Sequence, residues 1–266
     1  MGYTLLEQTG RYLARLLTKP SPGYEPFAPI PTDRLLGVLE PGDIILVEGH
    51  QYLSSAIKYL TMSTWSHAAM YVGEIDGAEE ADGEPHRLIE VLIGPGCITA
   101  PLSKYDCHNI RICRPVGLTP EDRDMVVTYM RERIGLKYDL KNVFDLLRYL
   151  FPTPPIPVRF RRRMIALGSG DPTRAICSTL IAQAFQHVRY PILPKIETVE
   201  QPKKGDRSNY TRQEILHIRH HSLFAPRDFD LSPYFAVIKP TIHFGFDYKG
   251  LVWHEGDSAE ESNLES

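Results

Sequence analysis

Arg174-Ala175-Ile176-Cys177-Ser178-Thr179-Leu180-Ile181-Ala182-Gln183-Ala184-Phe185 is the segment from which this chain is best read. Leu180, Ile181, Ala184, Phe185 and Val188 recur at helical spacing and form one apolar stripe, which predicts an amphipathic core helix. Asp171-Pro172-Thr173 ahead of it supplies start chemistry, a capping oxygen and a proline tolerated in the first turn. Cys177 then falls in or near that first turn, where unpaired N–H groups and the helix dipole favour a thiolate. A thiol so placed can act as a nucleophile, and the same N–H groups can hold a developing oxyanion. The plainer alternative is a small buried hydrophobe. Residues upstream weigh on that choice.

Trp65-Ser66-His67-Ala68-Ala69-Met70-Tyr71-Val72-Gly73 reads as a strand with His67, Ala69 and Tyr71 on one face and Ala68, Met70 and Val72 on the other. A polar acidic loop, residues 76–85, leads to a second strand, Arg87-Leu88-Ile89-Glu90-Val91-Leu92-Ile93, in which Leu88, Glu90 and Leu92 share a face. The two strands are expected to pair as an antiparallel hairpin. A carboxylate in an otherwise apolar strand needs a partner, because burying it unpaired is costly. His67 is the candidate. A cysteine at a helix start, a histidine on a strand and a carboxylate on the facing strand together suit thiol nucleophilic catalysis: the His takes the thiol proton and the carboxylate fixes the ring.

Pro41-Gly42-Asp43-Ile44-Ile45-Leu46, Ser66-His67-Ala68-Ala69-Met70-Tyr71-Val72-Gly73 and Ile176-Cys177-Ser178 follow one another in an order that resembles the YiiX-like, circularly permuted papain-like cysteine hydrolases of the NlpC-type superfamily. Ala225-Pro226-Arg227-Asp228-Phe229 also looks like that group's final stretch, so the resemblance spans roughly residues 36 to 240. It implies an α+β, circularly permuted papain-like (NlpC-type) fold, with an antiparallel barrel-like sheet and packed helices. It also implies Cys177 and His67 as catalytic residues, with Glu90 at the position that orients the histidine. The implied activity is a cysteine hydrolase, an amidase or peptidase working through a thioester. Many relatives are exported and attack cell-wall peptides, whereas no export signal is read here. Lecithin:retinol acyltransferase-like enzymes share the Gly-Asp and His strands, which keeps a lipid acyl hydrolase or acyltransferase as an alternative. Their Asn-Cys-Glu motif is not matched by Ile176-Cys177-Ser178. A non-catalytic binding module on the same fold is the third reading.

Around that core the chain divides into three. Residues 1–33 comprise an amphipathic helix over 4–18, with Arg11, Arg15 and Lys19 opposite a leucine face, and a proline-rich linker. Residues 34–245 form the catalytic domain. It is expected to contain a short strand at Ile44–Val47, helices at 52–59, 120–134 and 141–151, and strands at 109–114 and 234–238. A basic, proline-rich insertion, residues 151–170, carries Arg159, Arg161, Arg162 and Arg163 beside Phe160 and Met164. Regular structure is expected to end at Tyr190–Pro194, Phe224–Asp230 reads as a turn, and residues 246–266 read as an acidic, disordered tail. His217-Ile218-Arg219-His220-His221 has no carboxylate or cysteine at ligand spacing and reads as a solvated helix end rather than a metal site.

Composition narrows function further. A formal net charge of -3 argues against general nucleic-acid affinity. No apolar run approaches the ~20 residues of a membrane-spanning helix. Glu7, Arg11 and Arg15 interrupt any signal-peptide pattern, so a cytoplasmic, reduced protein is expected. The two basic, apolar segments suggest weak association with an anionic membrane surface. The four cysteines form no C-x-x-C pair. The expected partner is a peptide, amide-linked or lipid acyl substrate, with no metal and no cofactor.

Overall fold

A computed structural model describes residues 25–27, 29–92, 95–137, 176–201, 211–217 and 224–250. The N-terminal helix, the helix at 141–151, the 151–170 insertion and the Asp171-Pro172-Thr173 start signal lie outside the described residues. In chain order the elements are α1 (Thr32–Leu36), β1 (Ile44–Val47), α2 (Tyr52–Thr61), β2 (His67–Tyr71), β3 (His86–Leu92), β4 (Gly96–Pro101) and a 3-10 turn (Leu102–Tyr105). They continue with β5 (Ile110–Pro115), α3 (Pro120–Arg131), α4 (Ile176–His187), β6 (Lys195–Gln201), β7 (Thr211–His217), α5 (Pro226–Asp230), β8 (Phe235–Ile238) and α6 (Pro240–His243). A last 3-10 turn covers Tyr248–Gly250.

Six strands form one antiparallel sheet in the order β4-β3-β2-β1-β5-β8. Side-chain alternation sorts its residues into two apolar layers. Ile44, Leu46, Ala68, Met70, Ile89, Val91 and Cys113 face Leu180, Ile181, Ala184 and Phe185 of α4, with Val126 and Met130 of α3. Ile45, Val47, Ala69, Tyr71, Leu88 and Ile112 face Leu35, Val38, Leu102 and Tyr105. The first layer is the larger, and α4 is its backbone. Phe185 is fully buried and meets Phe235 of β8 edge-on at 5.3 Å.

The turn before β1 shows why Pro41-Gly42-Asp43 sits where it does. Gly42 takes φ +94°, a left-handed conformation that costs a side-chain-bearing residue about 1–2 kcal/mol. Asp43, 1% exposed, accepts from Arg114 Nε and Nη2 at 2.8 and 2.7 Å, clamping the start of β1 to β5 two-pronged. The Thr119 hydroxyl caps α3 by accepting from the Asp122 N–H at 3.1 Å, with Pro120 at the first helical position.

Several expectations need correction. The sheet is open rather than barrel-like: β4 and β8 are its two edges and do not pair with each other. β4 stops at Pro101, which has no N–H to extend a ladder, and β8 runs straight into Pro240 and α6. Regular structure does not end at Pro194, because β6 and β7 form an antiparallel hairpin from Lys195↔His217 to Gln201↔Thr211. His217 therefore closes a strand rather than a helix, and residues 218–221 lie outside the described residues. Phe224–Asp230 holds the short helix α5, not a turn alone; Asp228 Oδ2 accepts from the Ala225 N–H at 3.0 Å and closes its start. The helix predicted over 120–134 ends at Arg131. Gly96–Pro101 is a strand that the sequence reading passed over.

Candidate active site

His67 is the first residue of β2 and pairs in register with Val47 of β1. Two contacts anchor the chain just before it. Trp65 Nε1 donates to Asp230 Oδ2 at 3.1 Å, and the Ser66 N–H donates to the Val47 carbonyl at 3.1 Å. Gly49 fits between Ser54 and Ser66, with its N–H donating to Ser66 Oγ at 2.9 Å. A Cβ at Gly49 would lie 2.3 Å from Ser54 Oγ, so a side chain there would have to displace Ser54 or Ser66.

Glu90 lies on the neighbouring strand, opposite Ala69 rather than His67. The pair is therefore diagonal, a separation that a glutamate side chain can span. Glu90 Oε2 sits 2.7 Å from His67 Nε2 and accepts from the Tyr105 hydroxyl at 2.6 Å. Its other oxygen, Oε1, accepts from Lys104 Nζ. The Glu90 side chain is fully shielded from solvent. Burial alone would push its pKa up, but His67 and Lys104 hold it down to about 2.

Cys177 is the second residue of α4 and 5% exposed. Ser178 Oγ donates to the buried Phe224 carbonyl at 2.7 Å and pins that first turn. The β2–β3 ladder ends at Ala69↔Glu90, one residue short of Ala68. Ala68 thus has an N–H to spare, and it is directed at Cys177 together with the N–H of Ser178. Burial raises the Cys177 pKa, but His67, through charge and a hydrogen bond, and the two N–H groups bring it below the ordinary thiol value. Burial would lower the His67 pKa, yet Cys177 and Glu90 raise it to about 10. With Nε2 facing Glu90, Nδ1 is the ring nitrogen left for Cys177. Both shifts are in the direction that favours the charged forms, thiolate on Cys177 and imidazolium on His67. Cys97 and Cys113 have no such neighbour, and burial pushes them up to about 11 and about 12.

The three residues singled out in the sequence, Cys177, His67 and Glu90, are thus brought together at one end of β2. Lys104 and Tyr105 were missed. They follow β4, the unread strand, and carry no motif of their own. A row of rings continues from the site, with His67 6.2 Å from Tyr105, Tyr105 5.6 Å from His108, and His108 5.1 Å from His50. Among the described residues no group of three His, Cys, Asp or Glu could hold a metal ion.

A family model described as permuted papain-like amidase enzyme, YaeF/YiiX, C92 family, matches residues 38–149. Residues 38–149 are thus similar to this amidase family. The match takes in His67, Glu90, Lys104 and Tyr105 and ends before Cys177, so the thiol's place in the site rests on the tertiary structure. A search of curated proteins found no match.

Proposed function

We propose that the protein is a cysteine amidase or peptidase whose nucleophile is Cys177, with His67 as general acid–base and Glu90 orienting the histidine. The similarity of residues 38–149 to a papain-like amidase family supports hydrolytic chemistry at a thiol. The observation that carries the reading is the Cys177–His67 pair, in which the thiol is acidified and the imidazole made more basic.

In the first half-reaction the Cys177 sulfur attacks the amide carbonyl carbon. The C=O electron pair moves onto oxygen, where the Cys177 backbone N–H is one donor to the oxyanion. The C–N bond then breaks, the amine leaves with the proton from His67 Nδ1, and a thioester remains. In the second half, neutral His67 takes a proton from water, and the resulting hydroxide attacks the thioester carbonyl. The acid product departs, and the thiolate–imidazolium pair is restored. Glu90 stabilises the imidazolium in both halves and stays ionised throughout.

Incubating the protein with a panel of electrophilic amide and thioester probes, followed by mass spectrometry, tests this. An adduct on Cys177, absent from Cys177→Ala, is expected. Probes that leave Cys177 unmodified while the protein still hydrolyses amides would overturn it. The segments expected to meet an anionic membrane surface, the first helix and Arg159–Arg163, lie outside the described residues.

A further inference from the structure

Glu90 has more partners than its role toward His67 requires. A carboxylate held only by His67 would place its full charge on one imidazolium and draw that proton strongly. Here the charge is divided: Lys104 Nζ binds Oε1, while the Tyr105 hydroxyl shares Oε2 with His67 Nε2 at 2.6 Å. Lys104 and Tyr105 are consecutive in the 3-10 turn, and Leu102 and Tyr105 of that turn are buried in the second apolar layer. The turn is therefore anchored as a unit, with both donors aimed at one carboxylate. Lys104 also lies over the Tyr105 ring, its Nζ 5.4 Å from the centroid.

We propose that Lys104 and Tyr105 are positioning residues that set how strongly Glu90 stabilises the His67 imidazolium through Nε2, and so tune the Cys177–His67 pair. Lys104 offsets part of the carboxylate charge, so the imidazolium is less stabilised and gives its Nδ1 proton more readily to a leaving amine. Tyr105 fixes the oxygen that His67 meets and so fixes the ring's orientation. The inference rests on the reading of Cys177 as the nucleophile. The groups that face the pair come from several elements: Cys177 from α4, Lys104 and Tyr105 from the 3-10 turn, Cys97 from β4, and His50 and His108 from the flanking loops. Of these, Lys104 is the one that binds Glu90 as a cation without reaching the thiol.

Loss of the Lys104 charge has a definite sign. Without that cation the imidazolium is held more firmly and the thiolate less so, and both titrations move to higher pH. The test measures the rate of Cys177 alkylation by iodoacetamide from pH 3 to pH 11, read on the Cys177 peptide by mass spectrometry. No substrate is needed. In Lys104→Met both limbs are expected to rise by roughly 0.5–1 pH unit, the effect of removing one nearby charge. Lys104→Arg should restore them. Tyr105→Phe should slow alkylation at the optimum by a few-fold with smaller limb shifts, because it removes a neutral donor. Thermal melts identify any variant that fails to fold, and in that case Lys104→Gln replaces it in the same assay. Limbs unmoved in folded Lys104→Met and Lys104→Gln would overturn the proposal. A wild-type profile like that of an ordinary thiol, with no low-pH limb, would instead defeat the reading of Cys177 as an activated nucleophile.

Discussion

A thiol with Cys177's surroundings is set apart from its neighbours by charge rather than by access. Cys97 and Cys113 are fully buried and pushed up to about 11 and about 12, whereas Cys177 is lowered by His67. Cys107 is exposed and would label by access alone. In a Cys107→Ser background at pH 6, iodoacetamide should therefore modify Cys177 at least ten-fold faster than the other two, since a thiolate is the reacting form. Peptide mapping over time checks this, and faster labelling of Cys97 or Cys113 would contradict it. Cys177→Ala should lower amide hydrolysis by several orders of magnitude with an unchanged melting temperature. Glu90→Gln keeps the side-chain shape but loses the charge that stabilises the imidazolium. The basic limb of its pH–rate profile should move to lower pH, and activity should fall by less than in His67→Ala. Unchanged kinetics in Glu90→Ala would show that another group holds the ring.

The elements around the site act by bringing strand ends together. β2 is placed by its register with β1, by the Trp65 hydrogen bond to Asp230 of α5 and by the Gly49–Ser66 contact. A methyl group at Gly49 must displace Ser54 or Ser66. Gly49→Ala is expected to cost roughly 1–3 kcal/mol by overpacking and to lower kcat/KM as His67 shifts. Urea denaturation together with steady-state kinetics separates the two effects, and a variant as stable and active as wild type would show that the loop yields freely. At the helix layer, Phe185→Ala removes a fully buried ring between α4 and β8 and should cost about 3–5 kcal/mol. It moves no catalytic group directly. Its kcat/KM per folded molecule should consequently stay near that of wild type, as measured below the melting transition.

At the scale of the whole molecule, the Glu90–His67 pair links folding to pH. Glu90 falls from an ordinary 4.5 to about 2 on folding, so its contribution is complete above 4.5 and lost as pH falls toward about 2. His67 rises from 6.5 to about 10, so its contribution is complete below 6.5 and lost as pH rises through about 10. Removing the Glu90 charge leaves Lys104, Tyr105 and His67 aimed at a neutral amide, a loss on the order of 3 kcal/mol at neutral pH. The gap in melting temperature between wild type and Glu90→Gln should therefore narrow as pH drops from 4.5 to 2. A gap that stays constant over that range would show that Glu90 is not the group titrating. Among the described residues no helix is long and apolar enough to cross a membrane.

Periodicity and local chemistry carried much of this protein in the linear chain. The faces of β2 and β3, the Pro41-Gly42-Asp43 turn, the α4 stripe and the pairing of His67 with Glu90 all follow from spacing and from the cost of burying an unpartnered carboxylate. Tertiary structure decided the rest. β4 and the β6–β7 hairpin are short runs whose pairing partners, not their own pattern, make them strands. The open sheet is fixed by the strand order, which leaves β4 and β8 as its two edges. The acidified Cys177 depends first on His67 and then on the N–H groups of Ala68 and Ser178, and the charge balance at Glu90 depends on a turn that only packing brings to it. A sequence records which groups are present; how many of them meet one carboxylate is decided only when the layers close.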